Sequence, residues 1–166
     1  MPVWSVPLRL FHWVNAILFF LAYWGLEGGT VLHEWAGYGV LALVAVRIGL
    51  GLFGRGHARF SDFWPTPSRL ARYLRAFPRG HEEWQGHNPL GGLMILFLLF
   101  MLAVTALSGW AQETDALWGE AWVQDLHAVA ADLVMGAVVV HVLAVLVMQR
   151  LTGVTLVRAM VTGRRG

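Results

Sequence analysis

The sequence predicts an all-α integral membrane protein, a bundle of four transmembrane helices in a single domain over residues 1–166. Three observations carry that prediction. Mean hydropathy is +0.59, and 57% of the residues are hydrophobic. Charged residues make up 13%, against about 25% in soluble domains. Four stretches, 8–26, 31–53, 90–110 and 126–148, match the roughly 20 mostly apolar residues that a helix needs to cross a bilayer.

The first stretch lies where a secretory signal would lie. Its apolar part is too long for one, and no small-residue cleavage site follows LAYWGLEGG, so it is expected to stay as a span. The loop EGGT that follows is short, which makes the first two spans antiparallel neighbours. Segment 54–89 contains Pro65, Pro67 and Pro78 around the arginine-rich SRLARYLRAF. An interfacial amphipathic helix is expected there, with a plain solvated linker as the alternative. GHNPLGG, residues 86–92, reads as a turn in which Asn88 caps the third span and Pro89 takes its first position. Residues 149–166 form a tail after the fourth span.

Orientation follows from the basic residues, all twelve of which are arginine. Arg9 opens the first span. Arg55, Arg59, Arg69, Arg72, Arg75 and Arg79 lie between spans two and three, and Arg150, Arg158, Arg164 and Arg165 follow span four. The opposite loops hold Glu27, Glu113, Asp115, Glu120 and Asp125 and no basic residue, with Glu34 just inside span two. Positive charge marks the cytoplasmic side. Both termini are therefore expected in the cytoplasm. Trp24, Trp35, Trp110, Trp118 and Trp122 cluster at the outer interface, as an aromatic belt does. The pI near 9.7 thus reflects segregated arginines facing membrane lipid, and no nucleic-acid partner is expected.

The chain has no cysteine. That excludes disulfides, iron–sulfur clusters, thiolate zinc sites and the C-x-x-C-H attachment of a covalent haem. Seven histidines remain, and His12, His33, His127 and His141 fall within the spans. Ionisable residues inside a membrane are rare and usually functional. The span directions place His12 and His141 near the inner face and His33 and His127 near the outer face. Fourteen residues separate His127 from His141, a rise of about 21 Å and a rotation about 40° short of four turns, so both face one side of their helix. Two imidazole pairs stacked across a bilayer have the geometry of two bis-histidine haems. Four hydrogen-bonded core histidines, or a zinc or copper transport path, are the plainer readings of the same residues. Of the carboxylates, only Glu34 stands at the level of either pair.

Arg47 lies fourteen residues beyond His33, on the same face and at the level of the inner pair. It is a candidate partner for a haem propionate, or else it snorkels to the inner surface. Arg9, one turn before His12, has a similar claim. Glycines 37, 39, 49, 91, 92 and 136 would let a flat macrocycle approach the backbone, or let helices pack closely. Asp132 points roughly 140° away from His127 and is expected to make an interhelical hydrogen bond, with proton handling as the alternative. His57, His81 and His87 lie in the inner segment and are read as solvated; GHNPLGG is a candidate border for a quinone pocket.

These stretches together resemble a known family. LRLFHW, LHEWAGYGVLALVAVRIGLGLFG, HARFSDF, GHNPLGG, LHAVAADLVMGAVVVHV and the tail LVRAMVTGRRG are similar to the bacterial di-haem cytochrome b561 family, which includes the cytochrome b subunits of nickel–iron hydrogenases. The resemblance implies iron ligands on helices one, two and four, two of them on helix four. That assigns His12 and His141 to an inner haem and His33 and His127 to an outer haem. One departure is Ala128, where many relatives carry a glutamate. The resemblance further implies electron exchange between a quinone pool and a partner.

The leading expectation is a transmembrane electron-transfer cytochrome with two non-covalent haems b, relaying electrons between a membrane quinone and an external partner. The acidic outer face suits a cationic redox protein such as a periplasmic c-type cytochrome. A superoxide oxidase that reduces ubiquinone comes second, because an anionic substrate would be repelled there. A membrane subunit of a hydrogenase-like complex comes after it, since those subunits often run longer. A metal or proton transporter would need the histidines free of haem. Both an electron-transfer protein and a quinone-linked oxidoreductase fit the sequence.

Overall fold

Helix α1, Val6–Phe20, begins at Ser5 with proline in its first turn, where the missing N–H costs nothing. A π-helical turn, Leu21–Gly25, continues it to the end of the first span. In the computed structural model the described residues are 4–54, 56–76 and 88–164. Arg55, Arg79, His81, His87 and Arg165, and the side chain of His57, lie outside them. Helix α2 is Val31–Phe53, and the Thr30 hydroxyl at its start accepts the His33 N–H. A 3-10 turn at Gly56–Ala58 leads to a single helical turn, α3, Phe60–Phe63. Helix α4, Pro67–Ala76, is the expected amphipathic helix, with Tyr73 buried and Arg72 and Arg75 exposed.

Helix α5, Pro89–Ala111, starts as the sequence predicts: the Asn88 carboxamide oxygen accepts the Gly91 N–H at 2.7 Å. Helix α6, Ala121–Thr152, has 32 residues and outruns the predicted span at both ends. Its length of about 48 Å exceeds the roughly 30 Å of hydrocarbon it would cross, so its ends carry polar residues such as Asp125 and Arg150. Gly153, at φ 70°, closes it in the left-handed conformation that glycine adopts without strain. A last helix, α7, Leu156–Thr162, stands where the sequence suggested only a tail.

Among the described residues, four helical segments are long and apolar enough to cross a bilayer: α1 with its π turn, α2, α5 and α6. No strand occurs among the described residues. The spans pack in chain order, α1 on α2, α2 on α5 and α5 on α6, and α6 keeps its close backbone packing for α5. The shared core is made of Phe19, Val40, Val44, Leu99, Leu102, Ala130 and Val134. Large apolar side chains such as Ile17, Phe100 and Leu143 point outward, as expected where the surroundings are hydrocarbon. The five belt tryptophans are all exposed at one end, alongside exposed Glu27, Glu113, Asp115, Glu120 and Asp125.

The opposite, arginine-rich end is closed by the two chain ends together. Trp4, Leu8, Ala58 and Ala159 form a second small core. Arg9 donates to the Val161 carbonyl, and Trp13 Nε1 to that of Met160 at 3.3 Å.

Across the separation between α6 and α1, Tyr23 in the π turn donates to Asp132 Oδ1 at 2.6 Å. This is the interhelical hydrogen bond expected of Asp132. Tyr23→Phe strands that carboxyl without its donor; the expected result is a loss of about 1 kcal/mol, read as an earlier thermal unfolding midpoint in detergent. An unchanged midpoint would mean that the bond contributes nothing to holding α1 against α6.

Candidate functional site

Two pairs of imidazoles cross from α6 to its partners. His12 on α1 and His141 on α6 have ring centroids 6.4 Å apart, and His33 on α2 and His127 on α6 are 6.1 Å apart. The pairs lie at two levels along α6, separated by the fourteen-residue rise of about 21 Å between His127 and His141. Both separations are informative. A direct imidazole–imidazole hydrogen bond of about 2.9 Å would draw the centroids to about 5 Å. Two metal–nitrogen bonds of about 2.0 Å from opposite sides of one atom, plus about 1.1 Å for each ring radius, set them about 6.2 Å apart. The observed values match the second arrangement.

The polar surroundings fit a ligand role. His127 Nδ1 lies 2.8 Å from the Thr105 carbonyl oxygen. A carbonyl only accepts, so Nδ1 carries the proton and the neutral ring keeps its lone pair on Nε2. A backbone carbonyl is a usual second partner for a metal-bound histidine. Ser108, almost fully buried, adds its hydroxyl at 3.5 Å from the same nitrogen. Gly109 makes room for the ring: a Cβ there would stand 3.0 Å from His127 Cε1 and 3.2 Å from Nδ1. At the other positions, His12 Nδ1 and His33 Nδ1 are buried without a hydrogen-bond partner. Trp13 meets the His12 ring edge-on at 5.0 Å.

Among the described residues, no three His, Cys, Asp or Glu side chains gather to hold a bare metal ion. Structural and catalytic zinc takes three or four protein ligands, so two imidazoles per level underfill such a site. An iron that arrived with four macrocycle nitrogens would take at most two ligands from the protein, which His12 with His141, and His33 with His127, could supply. The donor set therefore fits haem better than a zinc ion.

Arg47 is 3% exposed. Its guanidinium donates to the Ala58 carbonyl at 3.0 Å and lies 5.0 Å from the Phe60 ring centroid and 6.0 Å from that of Phe63. It ties the α2–α3 connection to the span rather than snorkelling outward. Arg9 Nε is buried with no acceptor. The glycines divide. Gly39 lets α2 approach Leu18, Gly92 meets the Phe63 carbonyl, Gly91 abuts the Asn88 cap, and Gly37, Gly49 and Gly136 face open space.

Sequence reasoning missed Thr105, Ser108 and Gly109. They stand on α5, a helix without histidines, so no spacing argument reaches them. It also passed over Asn15, a buried amide one turn beyond His12 whose Oδ1 lacks a partner. A lone asparagine inside an apolar span was the signal available.

No curated protein and no solved structure matches the chain. The prokaryotic cytochrome b561 family does, over residues 3–163. With nearly all of the sequence covered, the chain belongs to the prokaryotic cytochrome b561 family and is a membrane-spanning b-type cytochrome of electron transfer.

Proposed function

We propose that this cytochrome relays electrons across a bacterial inner membrane through two haems, exchanging them with a quinone at the arginine-rich end and with a cationic redox protein at the acidic end. The observation that carries the reading is the pair of imidazole separations, 6.4 Å and 6.1 Å. His12 and His141 would be the axial ligands at the arginine-rich end, and His33 and His127 those at the acidic end. Each haem, when bound, supplies a one-electron couple. The protein's part is to present two neutral imidazoles at each level, to fix the His127 tautomer through Thr105, and to keep the site within apolar helices.

Arg47 and Arg9 would hold haem propionates. A guanidinium has five N–H donors, so Arg47 has capacity beyond the Ala58 carbonyl. Arg9 Nε is a buried donor in need of an acceptor. The arginine-rich end is placed in the cytoplasm because basic residues are retained on that side, which puts both termini there. Asn88, the cap of α5, would border the quinone.

Glu27, Glu113, Asp115, Glu120 and Asp125 are exposed together at the other end, with no arginine among them. A negative face of this kind raises the encounter rate with a basic protein and lowers it for an anion. That favours a c-type cytochrome over superoxide, whose oxidation is the second reading. A hydrogenase-like partner would dock on the same faces. Reduction of a basic c-type cytochrome by the quinol-reduced protein is expected to slow about tenfold from low to physiological salt, since screening removes the steering. A salt-independent rate, with fast superoxide consumption that ignores cytochrome c, would reverse the order of the two readings.

A further inference from the structure

Helix α1 turns one stripe inward: Leu8, His12, Asn15 and Phe19, at intervals of four, three and four residues. Leu8, Asn15 and Phe19 are buried. Asn15 is 9% exposed and stands within a span, where no water competes for its amide. Its Oδ1, an acceptor, has no partner, and neither has His12 Nδ1. Residues three apart on a helix are surface neighbours, with Cβ atoms about 5–6 Å apart. Helical side chains also lean toward the N-terminus, so Asn15 leans back toward His12. The two orphaned atoms are complementary when His12 Nδ1 carries the proton, which it must once Nε2 is engaged by a metal.

We infer that Asn15 is a positioning residue for His12: its carboxamide oxygen accepts the His12 Nδ1–H when that imidazole serves as an axial ligand. The two residues stand within one turn of α1. It is the counterpart of the Thr105 carbonyl at His127. There the helix packed alongside supplies the acceptor, whereas here the ligand's own helix does. An acceptor on Nδ1 makes the imidazole a stronger donor to iron, which favours ferric over ferrous iron and lowers the midpoint potential. The inference rests on the ligand assignment proposed above.

The test is a potentiometric titration of the purified, haem-loaded protein, followed optically, with Asn15→Leu and Asn15→Asp. Asn15→Leu removes the acceptor at similar size. One midpoint should rise by about 59 mV, a tenfold change in a one-electron equilibrium and the lower end of the effect of a second partner. The component that moves should be the one His127→Ala retains. Asn15→Asp keeps an acceptor oxygen and should hold that midpoint at or below its original value. In Asn15→Leu, two unchanged midpoints or two midpoints moving together would overturn the inference, and so would an upward shift in Asn15→Asp. The Asp arm still decides if the Leu protein fails to assemble. If His12→Ala keeps both haems, the ligand assignment itself falls, which separates that failure from a failure of Asn15 alone.

Discussion

His127→Ala is expected to yield a protein that folds, inserts and, on the proposed ligand assignment, carries one haem in place of the two expected of the parent. Nothing else in the neighbourhood replaces the lost ligand. Thr105 offers a carbonyl and Ser108 a hydroxyl, and neither is an axial donor of imidazole strength. His33 alone would leave the outer level with one protein ligand. The other pair is untouched, because His12 and His141 meet about 21 Å farther along α6. Loss of a second partner around a metal costs about 10–100-fold, and loss of the ligand itself should exceed that. Quinol should therefore still reduce the remaining haem, while electron delivery to an acceptor at the acidic end falls by more than about 100-fold. Retention of both haems, or an undiminished rate to that acceptor, would count against His127 as a ligand.

The second large effect is structural. Gly51→Leu is expected to loosen the arginine-rich end, whereas Gly49→Leu, two residues away on the same helix, is expected to do little. A Cβ at residue 51 would sit 2.2–2.5 Å from three carbons of the Phe60 ring. At residue 49 it meets nothing within 4 Å. The Phe60 ring cannot move freely, because it covers the Arg47 guanidinium, which in turn holds the Ala58 carbonyl. Overpacking of this kind costs about 1–3 kcal/mol, and displacing an aromatic ring from a desolvated cation adds about 1–2 kcal/mol. The combined loss of about 2–5 kcal/mol should appear as an earlier unfolding midpoint in detergent and faster protease cleavage near residues 56–63. Equal midpoints for the two leucine variants would show that the contact between α2 and Phe60 carries no stability.

The four spans were legible because membrane crossing imposes a length and a composition, and both are printed in the residue order. The pairing of the four histidines was legible for a related reason: a helix has a fixed rise, and successive spans alternate in direction. Asn88 and Pro89 announced the start of α5 through local capping chemistry. What stayed hidden depended on contacts between helices. Gly109 reads as an ordinary packing glycine until α6 is laid against α5 and the His127 ring lands on it. The π turn at Leu21–Gly25 leaves no compositional mark, yet it carries Tyr23 to Asp132. The docking of α7 on Trp4, Leu8 and Arg9 joins opposite ends of the chain, beyond the reach of any local pattern. Arg47 stood out in the sequence, but its grip on Ala58, Phe60 and Phe63 required the path of the α2–α3 connection.

The most direct test of the central claim is the ratio of haem to protein in the purified chain, set beside the spectrum that reports iron ligation. The account predicts two b-type haems per chain, both low-spin with paired imidazoles, and a fall to one in His141→Ala. A single haem per chain in the parent, or a ratio unaltered by that substitution, would contradict it.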